Sequence, residues 1–250
     1  MSKNYSPQEF EQHINREHSL SAFSTYLKEI VYGGVDGIVT TFAVVAGFTG
    51  AQSGNSTIAA LSVTTVLLFG FANLFADAVS MGLGNILSVR ADHGVYHREK
   101  EKERIKIKQS KNSEIAESVF ILKQKGFSDK QARELAEIYA TNEEYWLDFM
   151  MGNELEMKNP EGDKPVLTGL STTLSFMLFG AIPIFPYLIL HDDPNIFIIS
   201  SGATLTALIL LGTLRYRVTK EAISRSIGEI IILGGLSAII AYFVGTFFRG

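Results

Sequence analysis

Five long apolar runs constrain this chain more than any other feature. Residues 30–51, 58–89, 166–190, 196–214 and 227–248 contain no Lys or Arg. A helix needs about 20 mostly apolar residues to cross a bilayer, and each run meets or approaches that length. Between the second and third runs lies a block, 90–164, dense in Lys, Arg and Glu. The pattern predicts an all-α membrane protein: five transmembrane helices with a three-helix cytosolic insertion between helices two and three. The expected segments are an N-terminal stretch 1–29, helices one and two in 30–89, the insertion 90–164, and helices three to five in 165–250. The polar start "MSKNYSPQEFEQHINREHSL" has no basic stretch followed by an apolar one, so no cleavable signal peptide is expected. Without cysteine, neither disulfides nor a thiolate metal site can form.

The basic residues suggest an orientation. Of 22 Lys and Arg, three precede the first run, fourteen lie in the 90–164 block, four lie at 215–225, and Arg249 is the last. The short loops 52–57 and 191–195 carry none. The excess of basic residues on cytosolic loops then places the N-terminus, the insertion and the 215–225 loop in the cytosol, and the C-terminus on the other side.

The insertion reads as helical. "HREKEKERIKIKQSKNSEIAESVFILKQKG" is rich in helix formers, continues from span two and is stopped by Gly126. Ser128 with Gln131, and Thr141 with Glu144, have the spacing of capping boxes opening two further helices. Acidic side chains recur at helical spacing: Glu99 and Glu103, Glu114 and Glu117, and Glu154 one turn from Met150. Such pairs put two donors on one face, as carboxylate metal sites in bundles do. For any single pair a solvated charged face is the commoner explanation, since Glu and Lys are ordinary helix-surface residues. Met150 and Met151 beside Trp146 equally suit a small core patch. His93, His97 and Glu101 form a further line with metal-ligand spacing. The insertion holds no Glu-x-x-His pair of the di-iron type, so an enzyme is not expected.

Ionisable groups within the apolar runs are a stronger signal. Asp36 lies in span one between Gly34 and Gly37. Asn73, Asp77 and Met81 form an i, i+4, i+8 stripe on span two, followed by Gly82 and Gly84. An intramembrane carboxylate costs about 2.5–3.5 kcal/mol on insertion scales, and function is its default explanation. Asp77 could instead bond a neighbouring hydroxyl such as Thr40, Thr41 or Thr64. Carboxylates suit hard and borderline divalent cations, and a thioether favours softer ions such as Fe²⁺ over Mg²⁺ or Ca²⁺. Glu229, early in span five, sits where interfacial water can solvate it.

"DGIVTTFAVVAG" in span one and "ADAVSMGLGNILS" in span two resemble the signatures of the vacuolar iron transporter family, as does the Glu-rich insertion with its "FMMGNELEM" end. The resemblance runs from about Tyr32 to the end. It implies a homodimer that moves Fe²⁺, and also Mn²⁺, out of the cytosol in exchange for protons, with no permanently bound cofactor and no nucleic-acid partner. By resemblance Asp36 and Met81 match the intramembrane metal pathway, and Glu99, Glu103, Glu114, Glu117, Met150 and Glu154 the cytosolic metal-binding set. The "REKEKER" run admits more than one alignment around Glu99 and Glu101. Some members carry a glutamate where this chain has Asn73, which cannot carry a proton at neutral pH; Asp77 or Asp36 would then do so. The membrane would be the inner one in a bacterium or a vacuolar-type one in a eukaryote. The competing reading is a membrane-anchored metal sensor or scaffold without transport.

Overall fold

The computed structural model describes residues 6–17, 21–51, 56–190 and 193–247. Residues 52–55 and 191–192 of the two short loops, and Arg249, on which the charge argument drew, lie outside them. The described residues form eleven helices and no strand: α1 (Pro7–Glu17), α2 (Ala22–Thr25), α3 (Leu27–Ala51), α4 (Ser56–Gln109), α5 (Lys111–Gln124), α6 (Asp129–Tyr139), α7 (Glu143–Asn153), α8 (Pro165–Gly180), α9 (Phe185–Ile189), α10 (Ile196–Thr219) and α11 (Ile223–Phe247). They fall into two compact units, one of residues up to 85 and from 166 onward, the other of residues 86–165.

In the first unit α3 packs against both α10 and α11. Ile38 of α3 is buried among Ala207, Leu208 and Leu211 of α10 and Ile230 of α11. Phe176 of α8 is buried against Leu74 and Ala78 of α4. Small residues allow the close approaches, as in membrane bundles generally. A Cβ on Gly37 would collide with the Phe176 carbonyl oxygen of α8. Gly82 similarly meets Thr173, but Gly84 has nothing within 4 Å and makes no close approach. Buried hydroxyls tie segments together: Ser175 Oγ donates to the Ile30 carbonyl at 2.6 Å, and Ser200 Oγ to the Pro183 carbonyl at 2.6 Å.

Among the described residues four helices are long and apolar enough to cross a membrane: α3, the stretch of α4 from Val63, α10 and α11. Their outward faces are apolar too. On α11, Leu233, Leu236, Ile240, Phe243 and Phe247 are all exposed, an arrangement that water would penalise and lipid accepts. The third apolar run, expected as one helix, is two. α8 has 16 residues and rises about 24 Å, short of the roughly 30 Å hydrocarbon thickness. A turn at Ala181–Ile184 separates it from α9, which starts with Pro186 in its first turn. Proline lacks an N–H and clashes with the preceding turn, so Pro183 and Pro186 cannot continue α8 unbroken.

The second unit also departs from a three-helix insertion. α4 does continue out of the second apolar run, but it stops at Gln109 and a separate α5 starts at Lys111. Ser110, at φ −134° and ψ 42°, breaks the helix within a weakly helical Ser-Lys-Asn-Ser stretch. The expected stop at Gly126 is present, with φ at +99°, a conformation that favours glycine. Ser128 caps α6 with both bonds of a capping box to Gln131. The cap of α7, in contrast, is Asn142, whose side chain accepts from the Tyr145 N–H. Thr141 is not the cap because its hydroxyl donates back to the Ile138 carbonyl at 2.6 Å. Tyr96 and Ile107 of α4 share a core with Trp146, Leu147, Met150 and Met151 of α7. Outside that core Lys100 pairs with Asp148 at 2.6 Å, Arg104 with Glu144 at 2.8 Å and Lys108 with Glu143 at 3.2 Å. This seam follows the i, i+4 spacing of α4.

Candidate metal centre

Just after the break at Ser110, Glu114 in the first turn of α5 brings a carboxylate oxygen close to one of Glu103 on α4. Glu154 arrives as the C-cap of α7, its N–H held by the Met150 carbonyl. One carboxylate oxygen from each of the three lies within 4.8 Å of the others. Glu103 is 1% exposed and Glu114 3%. Buried carboxylates ordinarily have every oxygen paired. Here Glu103 Oε1, Glu114 Oε2 and Glu154 Oε2 are buried without a hydrogen-bond partner among the described residues. Three such carboxylate oxygens from three helices, once deprotonated, are a donor set for a hard or borderline divalent cation.

The electrostatics agree. Burial first, then the adjoining Glu103 carboxylate and repulsion from Glu117, push Glu114 up to about 7. Glu154 is also raised, first by burial and then by Glu103. One cation answers the group: Lys106 Nζ lies 2.9 Å from Glu103 Oε2 and 3.9 Å from Glu154 Oε1. Its hydrogen bond to Glu103 raises the Lys106 value and holds the ammonium charged.

Of the six insertion residues singled out from sequence, the structure brings together Glu103, Glu114 and Glu154. Glu117 is half-buried and acts on Glu114 and Glu154 through charge. With Glu154 it lines a cavity of about 640 Å³. Met150 is fully buried in the α4–α7 core. Ser118 Oγ lies 3.2 Å from its sulfur and 2.9 Å from the Glu114 carbonyl, and accepts the Trp146 indole N–H at 2.8 Å. Glu99 stands outside the group, its carboxylate held by Arg98 at 2.9 Å and Lys102 at 3.0 Å. His93 faces Asp163 at 3.9 Å, and His97 lines a small polar cavity with Glu101, Arg104 and Glu144. Among the described residues neither histidine joins a three-donor group. Sequence reasoning missed Lys106 and Ser118. The i, i+3 spacing of Glu103 and Lys106 was the available signal for the former.

In the first unit Asn73, Asp77 and Met81 are half-buried, beside the fully buried line of Gly70, Leu74, Ala78 and Gly82. One turn further Asn85 Nδ2 donates to Thr172 Oγ1 of α8 at 2.8 Å. Met81 packs on the Leu74–Phe176 cluster. Asp36 lies within electrostatic reach of Asp77. Thr40 donates to the Asp36 backbone carbonyl at 2.8 Å and leaves the carboxylate to other partners. Asp36 lines a cavity of about 640 Å³ with Lys28, Tyr32, Arg215 and Glu229. Asn73 lines a different one, of about 750 Å³, walled by Val44, Phe48 and Phe69. The four residues therefore do not share a single pocket. Glu229 is paired with Arg215 at 2.7 Å and Arg225 at 3.0 Å.

Long apolar helices with apolar outward faces, and a unit carrying a buried carboxylate group, mark a helical membrane protein with a candidate cation site. The chain belongs to the VIT family, whose profile matches residues 27–246. It is 30% identical over 232 residues to "Vacuolar iron transporter 1" of Oryza sativa subsp. japonica, which spans 92% of this chain and 89% of that one. It is likewise 30% identical over 241 residues to "Vacuolar iron transporter" of Toxoplasma gondii (strain ATCC 50861 / VEG), covering 93% and 77%. The protein of that name from Plasmodium falciparum (isolate 3D7) is 30% identical over 229 residues, covering 88% and 81%. These relatives are named as transporters and not as enzymes.

Proposed function

We propose that this protein transports Fe²⁺, with Mn²⁺ as a second cargo, out of the cytosol in exchange for protons. The observation that carries the reading is a buried group of three glutamates with unsatisfied oxygens, in a chain whose relatives are named vacuolar iron transporters. In this reading five segments cross the membrane, the broken α8–α9 pair being the third. The N-terminus and residues 90–164 face the cytosol, the C-terminus faces the other side, and two copies associate. The membrane is the inner one in a bacterium or a vacuolar type in a eukaryote.

Glu103, Glu114 and Glu154, assisted by the charge of Glu117, gather the ion from the cytosol. Asp36 and Met81 carry it across, with Asn73 as a neutral ligand. Oxygen donors with one thioether favour Fe²⁺ over Mg²⁺ and Ca²⁺. Asp36 and Asp77 alternate between cation-bound and protonated forms, because a carboxylate must lose its proton to ligate.

Purified protein in liposomes tests this directly. Fe²⁺ and Mn²⁺ flux should exceed that of empty vesicles and rise with an opposing pH gradient. Flux equal to that of empty vesicles, with and without the gradient, refutes the proposal.

A further inference from the structure

We propose that Lys106 is a resident cation of the carboxylate group, one that holds the site's affinity for divalent ions down. The inference rests on reading Glu103, Glu114 and Glu154 as a metal centre. An acidic cluster alone would not suffice, but Glu103 and Glu114 are almost fully buried, and each carries a buried oxygen with no hydrogen-bond partner among the described residues. The placement of Lys106 sets it apart from its neighbours on α4. Lys100, Arg104 and Lys108 turn to Asp148, Glu144 and Glu143 of α7, outside the group. Lys106 turns to the group itself, 2.9 Å from Glu103 Oε2 and 3.9 Å from Glu154 Oε1. Its side chain is 50% exposed, so it reaches in from solvent rather than being sealed inside.

Two opposed effects follow. By holding Glu103 Oε2, Lys106 fixes the carboxylate and leaves Oε1 unpartnered, which orders one ligand. By carrying a positive charge close to where a divalent ion would sit, it repels that ion. Ordering one carboxylate gains about one hydrogen bond's worth of free energy. Repulsion between a monovalent and a divalent charge at this range exceeds that, even with substantial solvent screening. Repulsion therefore dominates. Without metal, Lys106 relieves crowding among Glu103, Glu114, Glu117 and Glu154, which also favours the empty state. A site with its own counter-cation captures ions and lets them go. One with the same glutamates and no lysine would keep them. Release suits a site that feeds a transport path.

The test uses the full chain in detergent micelles and Mn²⁺ as the probe, with free Mn²⁺ read by electron paramagnetic resonance. K106Q should bind Mn²⁺ at least about tenfold more tightly than wild type, and K106R should match wild type. K106M, which keeps the aliphatic stem, is the second neutral variant and should behave as K106Q. Thermal unfolding with and without Mn²⁺ should show a larger metal-induced stabilisation in the neutral variants. Unchanged or weaker binding in folded K106Q or K106M overturns the inference. E114Q separates the two readings. If E114Q loses Mn²⁺ binding while the neutral Lys106 variants match wild type, only the role of Lys106 fails. If E114Q and both neutral variants all match wild type, the metal centre lies elsewhere and both readings fail.

Discussion

Glu103 and Glu114 hold carboxylate oxygens within 4.8 Å of each other on two helices joined by a single broken residue, Ser110. Both are buried, and Glu114 is pushed up to about 7 by burial and by Glu103. In the unfolded chain the same group returns to about 4.3. Between those values the folded, metal-free protein binds a proton that the unfolded chain does not. Stability from this group is thus fully present on the acid side and lost as pH rises toward about 7. Thermal unfolding of metal-free protein should show a higher midpoint at pH 5.5 than at pH 8, and E114Q should flatten the difference.

Metal binding runs the other way. An entering ion must displace the Glu114 proton, so Mn²⁺ affinity should drop about tenfold between pH 8 and pH 6. Calorimetry in two buffers of different ionisation enthalpy should count close to one proton released at pH 6. Equal affinity at the two pH values would exclude Glu114 as a ligand.

Ser118 joins three partners at the base of the group, and its loss strands one of them. Ser118→Ala leaves the buried Trp146 N–H without its 2.8 Å acceptor, at a cost of about 1–3 kcal/mol. The change should appear as a lower unfolding midpoint. The exposed pairs nearby should matter less: Arg104→Ala should cost under about 1 kcal/mol.

Gly37 and Gly84 give a matched pair in the membrane unit. Gly37→Ala drives a Cβ onto the Phe176 carbonyl and should cost at least about 2 kcal/mol or prevent folding. Gly84→Ala meets nothing within 4 Å and should be neutral or slightly stabilising, by up to about 1 kcal/mol. Expression yield and midpoint in detergent distinguish them.

Transport and collection should separate by mutation. Asp36→Asn and Met81→Ala should cut Fe²⁺ flux in liposomes at least about tenfold, a loss of about 1.4 kcal/mol or more in the rate-limiting barrier. Both should leave Mn²⁺ binding at Glu103, Glu114 and Glu154 unchanged. Asp77→Asn should keep flux down a metal gradient and lose its stimulation by a pH gradient. Full stimulation in Asp77→Asn would remove Asp77 from proton exchange.

What the sequence determined by itself was local. Apolar length marked α3, α10, α11 and the start of α4, because a helix in lipid satisfies its backbone within one segment. Gly126, and Ser128 with Gln131, set helix ends through bonds within a few residues. Asp36 and Asp77 stood out because a charged group in an apolar run is costly wherever the run folds, and Met81 because it shares a helical stripe with Asp77. Only the tertiary structure chose among the glutamates. Glu99, Glu101, Glu103, Glu114 and Glu117 all have helical spacing to another donor, and spacing cannot say which face loses its water. The break at Ser110 and the docking of α7 decided that. They buried Glu103 and Glu114 beside Glu154, left Glu99 to Arg98 and Lys102, and turned Lys106 inward. Tertiary contacts likewise put Asp36 and Asn73 on two different cavities. Charge burial depends on what packs over a side chain, and that is set by residues far away in the chain.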